Sequence, residues 1–237
     1  MSGEGKKGTT EGKIPRWEAE LWSYVSEGDG ISCPLRDQRR VMEQSVWCPD
    51  EYRERLNQLL DERRFNFRSY DFIRSEAKGL CLLCQLVERL AEMYLEMGRV
   101  RCPPVSTELV RLFDQQHTVE IRQLPLKAYH GAIWSRQDGW VIQVKDSDTA
   151  PTMRFTVFHE AFHILAHCRT TPVFRKRGSV VGYFNELLAD HFAFCTLMPR
   201  EWIAEKWTEV KDLERMAEIF VVPKSAMCIR LRQLGLI

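Results

Sequence analysis

Phe158-His159-Glu160-Ala161-Phe162-His163 is the stretch of this sequence best equipped for chemistry. On a helix, residues four apart differ by about 40° in azimuth and about 6 Å in rise. The imidazoles of His159 and His163 can therefore reach one ion at about 2.0–2.1 Å, the bond length zinc prefers. Glu160 is turned about 100° from His159. It can stand beside the ion without binding it and accept a proton from a water the ion activates. A core helix with two incidental histidines is the bland alternative. Phe155, Phe158, Phe162, Ile164 and Leu165 weigh against it, because a carboxylate in such an apolar coat is costly unless it is used.

A catalytic zinc takes three protein ligands and leaves one position open. His167 continues the four-residue spacing, but it lies about 12 Å along the axis from His159, too far to share an ion. It is read as a partner behind a metal ligand, a substrate-facing group or a plain polar contact. Glu186 and Asp190 are four apart in the next helix-forming stretch, which is otherwise apolar (Leu187, Leu188, Phe192, Ala193, Phe194, Leu197). Two acids on one face of such a helix call for a partner. Glu186 has the longer reach and is the predicted third ligand. Asp190 is predicted to hydrogen-bond the distal nitrogen of a ligating histidine, although a solvated acidic face remains the plain reading of the pair.

Cys33, Cys48, Cys81 and Cys84 offer a second, weaker constellation for a structural metal. The Cys81/Cys84 half-site falls inside an apolar run, so buried thiols are the simpler expectation. Arg230 and Arg232 lie on a terminal helix-turn-helix-like segment. Two arginines make few phosphate contacts, so packing is expected there rather than DNA reading.

The elements that must position these groups follow from pattern. The alternation of His117–Leu124 predicts a strand, and Gly131–Ser135 with Trp140–Lys145 around an Asp-Gly pair predicts a hairpin. Asp146–Thr149 and Pro151 predict the start of a helix running to about Cys168. A loop is predicted through Phe184, then a helix over Asn185–Met198 ending at Pro199. Short helices are predicted over Glu201–Trp207, Asp212–Phe220 and Lys224–Leu234. Upstream, residues 71–98 carry a long apolar stripe with Gly98 as its cap, and Thr107–Gln116 reads as a helix. Residues 17–27 and Glu51–Glu62 also read as helices, and residues 1–15 as a polar, disordered tail. The fold class expected is α+β: a mostly helical, zincin-like domain over 101–237 with a small antiparallel sheet. A helical region over 16–100 precedes it, and residues 208–237 form its helix-turn-helix-like end.

Composition sets the frame. The 237 residues are 44% hydrophobic and 28% charged, with 34 Lys+Arg against 33 Asp+Glu and a net charge of +1. That balance gives no argument for a nucleic-acid or membrane partner, although it leaves room for a local basic patch. The amino terminus lacks the apolar core of a signal peptide, and no run of about 18 apolar residues occurs, so a cytoplasmic place is expected.

With these residues in hand, the sequence resembles the ImmA/IrrE family of metallopeptidases over about residues 103–237. The resemblance rests on Arg154 through His163, close to that family's RFTxxHExxH. It rests also on Glu186 through Pro199, close to ExxxNxFAxxLLMP, and on Ile219 through Met227 with Arg230 through Gly235. Asp190 stands where the family has Asn. The resemblance implies a zinc peptidase with Glu186 as third ligand, cutting a protein substrate at a limited site. The target it implies is a helix-turn-helix transcriptional repressor. His167, Tyr183 and His191 are the candidates to steady the oxyanion. The alternatives are a zinc-containing regulator that binds DNA or a partner without cleaving, and a zinc hydrolase acting on a non-protein substrate.

Overall fold

The computed structural model describes Arg53, residues 71–166 and residues 180–237, with the backbone alone over 71–83 and 180–185. The tail of residues 1–15, the helix expected over 17–27, most of Glu51–Glu62, Cys33, Cys48 and His167 lie outside the described residues.

Helix α1 spans Asp71–Met97. Leu86, Val87, Leu90, Ala91, Met93, Tyr94 and Leu95 are buried, while Arg89 reaches Glu92 and Glu96 on the outer face. Its end differs from expectation. The left-handed residue is Arg99 (φ 53°), and Val100 N–H donates to Leu95 O at 2.9 Å, the six-to-one bond of a Schellman ending. Gly98 serves a close approach instead: a Cβ there would meet Leu109 Cδ1 at 2.4 Å.

A 3-10 turn over Thr107–Leu112 replaces the longer helix expected to Gln116. Asp114 stops it. Its carboxylate accepts from the backbone N–H of Gln116 and His117 at 3.0 and 3.1 Å, drawing the chain into a side-chain-closed turn. Three strands follow: β1 (Thr118–Leu124), β2 (Gly131–Arg136) and β3 (Gly139–Lys145). Their order is β1-β3-β2. The hairpin forms as expected, but the sheet is mixed rather than antiparallel. β3 folds back from β2 into the middle, where it runs parallel to β1. This central strand is the buried one, from Trp140 to Ile142 and at Val144.

Helix α2 spans Ala150–Ala166. Thr149 opens it, accepting from Thr152 N–H at 3.4 Å. It packs on β2 and β3 with one face and on helix α3 (Val180–Leu197) with another. α3 begins five residues before the expected Asn185. The loop expected through Phe184 is shorter, because the one glycine in the apolar run Val180–Phe184 does not stop a helix. Pro199 ends it as expected. Helices α4 (Arg200–Val210), α5 (Leu213–Phe220, capped by Asp212) and α6 (Lys224–Gln233) complete the chain.

A single buried cluster runs from Cys84 on α1 to Leu231 on α6, so the core continues across residue 100. Arg230 on α6 is 1% exposed. Its Nε donates to Met198 O at 3.0 Å and its Nη2 to Glu88 at 3.4 Å. The terminal helices are thus tied to α1 and the end of α3, and Arg230 is withheld from any phosphate. Among the described residues, no helix is long and apolar enough to cross a membrane.

Candidate metal centre

α2 presents His159 and His163 one turn apart, their ring centroids 5.5 Å from each other. α3 lies beside it and brings Glu186 across from both. Glu186 Oε2 is 3.1 Å from His159 Nε2, and Oε1 is 3.6 Å from His163 Nε2. Among the described residues this is the one group of His, Cys, Asp and Glu whose ligand atoms all lie within 4.8 Å of one another. A tetrahedral ion with bonds of about 2.0–2.1 Å needs its ligand atoms about 3.3–3.4 Å apart, so drawing one Glu186 oxygen and the two imidazole nitrogens from within 4.8 Å of one another onto an ion takes only a small closing of the group. Two imidazoles and one carboxylate fit zinc with a position to spare. The histidine side chains are 16% and 15% exposed and that of Glu186 is 57% exposed, so the centre opens to solvent on the α3 side.

Asp190, one turn after Glu186, places Oδ1 2.7 Å from His159 Nδ1. This is the arrangement expected from the four-residue spacing. Burial alone would push the His159 pKa down, but its hydrogen bonds to Asp190 and Glu186 hold it well above its ordinary value. Glu160 is pushed up to about 7 by burial, with His159 opposing the shift and Glu186 adding to it.

Glu160 faces the first residue of β2. A Cβ added at Gly131 would come within 2.4 Å of Thr156 Cγ2 and 2.9 Å of Glu160 Oε1. Gly131→Ala is therefore expected to push the Glu160 carboxylate aside while leaving the two histidines in place. Any hydrolytic activity of this site should fall about 10²-fold, the cost of a roughly 1 Å misplacement, with metal content unchanged. Measuring kcat/KM beside metal content checks this, and normal activity in a correctly folded variant contradicts it.

The structure separates His191 from the centre. It is 5% exposed, and its Nε2 lies 3.2 Å from Cys84 O and 3.5 Å from Cys195 Sγ, so it faces the α1 core rather than an oxyanion. Burial, with Arg230 adding to the effect, pushes its pKa from 6.5 down to about 4. The unfolded chain takes up this proton near pH 6.5 and the folded chain near pH 4. Stability from neutral His191 is therefore complete above about pH 6.5 and is lost as pH falls toward 4, by roughly 3 kcal/mol. Urea midpoints across that window should slope less in His191→Leu than in wild type. Equal slopes would remove His191 as the cause.

Tyr183 lies on α3 within the segment described by backbone alone, as does Cys81 on α1. Cys84 is a buried thiol, and Cys195 is also buried, its pKa pushed up to about 12 by burial. Two anchors escaped the sequence reading. Arg154 Nε donates to Val221 O at 3.1 Å and its Nη2 to Val105 O, tying α2 to the segments before and after it. A lone cation in an otherwise apolar motif was the available signal. The other is Arg53, which donates to the last turn of α2.

The family model described as the IrrE N-terminal-like domain, Peptidase_M78, matches residues 114–232. The chain belongs to this family. The resemblance read in the sequence is thus borne out over that segment. The Peptidase_M78 segment holds β1 to β3, both helices of the metal centre and most of α6. It leaves Arg53 and α1 outside. Among solved structures, a Mycobacterium tuberculosis transcriptional regulator is similar at 14% identity and a TM-score of 0.45. The alignment covers 76% of this chain and 51% of that one, so the chain spans about half the length of that regulator. No curated protein matches the chain.

Proposed function

We propose that this Peptidase_M78 protein is a zinc-dependent endopeptidase that cuts a peptide bond in a protein substrate. The observation that carries the proposal is Glu160, a carboxylate set beside the His159–His163–Glu186 group and against the β2 edge. A protein that only binds through its metal has no use for such a base.

Zinc in this site would supply a Lewis acid that acidifies water and polarises a carbonyl. The remaining work belongs to the chain. Asp190 accepts the Nδ1 proton of His159 and so leaves the Nε2 lone pair for the ion. Glu160 takes a proton from the attacking water onto its carboxylate and returns it to the leaving amide nitrogen. β2 is an edge strand in the order β1-β3-β2. An extended substrate adding to it would run past Gly131 with its scissile carbonyl beside Glu160. His167 and Tyr183 remain the proposed groups for the oxyanion, and His191 drops out.

The substrate class, a helix-turn-helix transcriptional repressor, follows from the family resemblance, and a cytoplasmic place from the polar amino-terminal sequence. The reading in which the terminal helices bind DNA is weakened by the burial of Arg230. Co-expression with a helix-turn-helix repressor encoded beside the gene tests the substrate. Two repressor fragments are expected, and none when a chelator is present. An intact repressor beside zinc-loaded protein would remove that substrate.

A further inference from the structure

We propose that Arg53, far upstream of the Peptidase_M78 segment, is a positioning residue that fixes the helical turn carrying His163 and so tightens metal binding. This rests on the metal-centre reading above. The guanidinium forks across consecutive carbonyls at the end of α2, with Nη2 to Ile164 O at 3.1 Å and Nε to Leu165 O at 3.2 Å. Its Nη1 reaches Phe113 O at 3.4 Å. Ile164 and Leu165 directly follow His163 in sequence. They fall in the last turn of α2, where helix carbonyls run out of amide partners and a cation is favoured by the helix dipole.

The neighbours show what Arg53 adds to this part of α2. Further up α2, Phe158 and Phe162 are locked among Phe113 and Phe192, so that part of the helix is held by packing. Ile164 and Leu165 at the end of α2 are buried as well, and there the backbone carbonyls also take hydrogen bonds from another segment. Phe113, the third acceptor, packs its ring on Tyr94 and Phe192, so Arg53 ties the helix end to a rigid part of the core. The guanidinium also borders a cavity of about 570 Å³. Truncation would admit water to the freed carbonyls instead of stranding them dry. The expected loss is therefore in the order of one turn, and His163 depends on that turn to meet Glu186.

The test measures zinc affinity of the full chain by competition with a chromogenic chelator, together with the visible spectrum of the cobalt(II) form. Arg53→Ala is expected to bind zinc about tenfold more weakly, the low end of what loss of an outer partner costs, with a weaker cobalt band. Arg53→Lys restores the cation but not the fork and should fall between the two. It is also the deciding variant if Arg53→Ala does not fold. Trp207→Ala, on α4, controls for general destabilisation and should leave zinc affinity unchanged in the folded protein. If Arg53→Ala and Arg53→Lys bind zinc as wild type does, or if Trp207→Ala weakens zinc equally, Arg53 does not position the site. If wild type itself binds no zinc, the metal-centre reading fails instead.

Discussion

Glu160→Gln is expected to retain zinc and to lose cleavage by roughly 10²–10⁴-fold, the contribution of a positioned general base. The amide has nearly the same shape as the carboxylate, so the fit beside Gly131 survives. The ligand atoms of His159, His163 and Glu186 are untouched, so metal content should match wild type. What disappears is the oxygen that can take and return a proton. Single-turnover cleavage of a confirmed substrate, with zinc content measured on the same sample, separates these effects. Wild-type cleavage by this variant would show that Glu160 is not the base. Loss of zinc would show instead that Glu160 holds the site together.

Glu186→Gln is expected to weaken zinc binding by more than the roughly 10–100-fold seen on removing an outer partner. It replaces the one anionic donor of the group, whose oxygens stand 3.1 and 3.6 Å from the two imidazoles, with a neutral amide. Activity should fall with metal occupancy and recover in part when zinc is added in excess. Asp190→Asn is the companion variant. It keeps a hydrogen-bond acceptor for His159 Nδ1 and should cost less affinity than Glu186→Gln. If the order of the two losses is reversed, Asp190 rather than Glu186 is the ligand.

These assignments trace to spacing that can be read locally. His159, Glu160 and His163 sit within one and a half turns, where helix geometry fixes relative azimuth whatever the fold does. Glu186 and Asp190 were legible for the same reason, as two acids on an apolar helix that needed a partner. Periodicity alone left His191 a candidate. Its contacts with Cys84 O and Cys195 Sγ, not its place in the repeat, turn it away from the centre. What stayed hidden depends on contacts distant in sequence. β1 pairs with β3 rather than β2, and alternation within a strand says nothing about its neighbour. Arg53 meets Ile164 across 111 residues, and nothing in the charged stretch around it marks one arginine among many. Gly131 was visible as a hairpin residue, but its reason for being glycine lies in Thr156 and Glu160 on another element.

The most direct measurement is anomalous diffraction at the zinc edge from crystals of the zinc-loaded chain. The account requires one strong peak about 2.0–2.2 Å from His159 Nε2, His163 Nε2 and a Glu186 carboxylate oxygen, with Asp190 still on His159 Nδ1. A peak held by other side chains, or zinc-loaded crystals with no peak between α2 and α3, would contradict it.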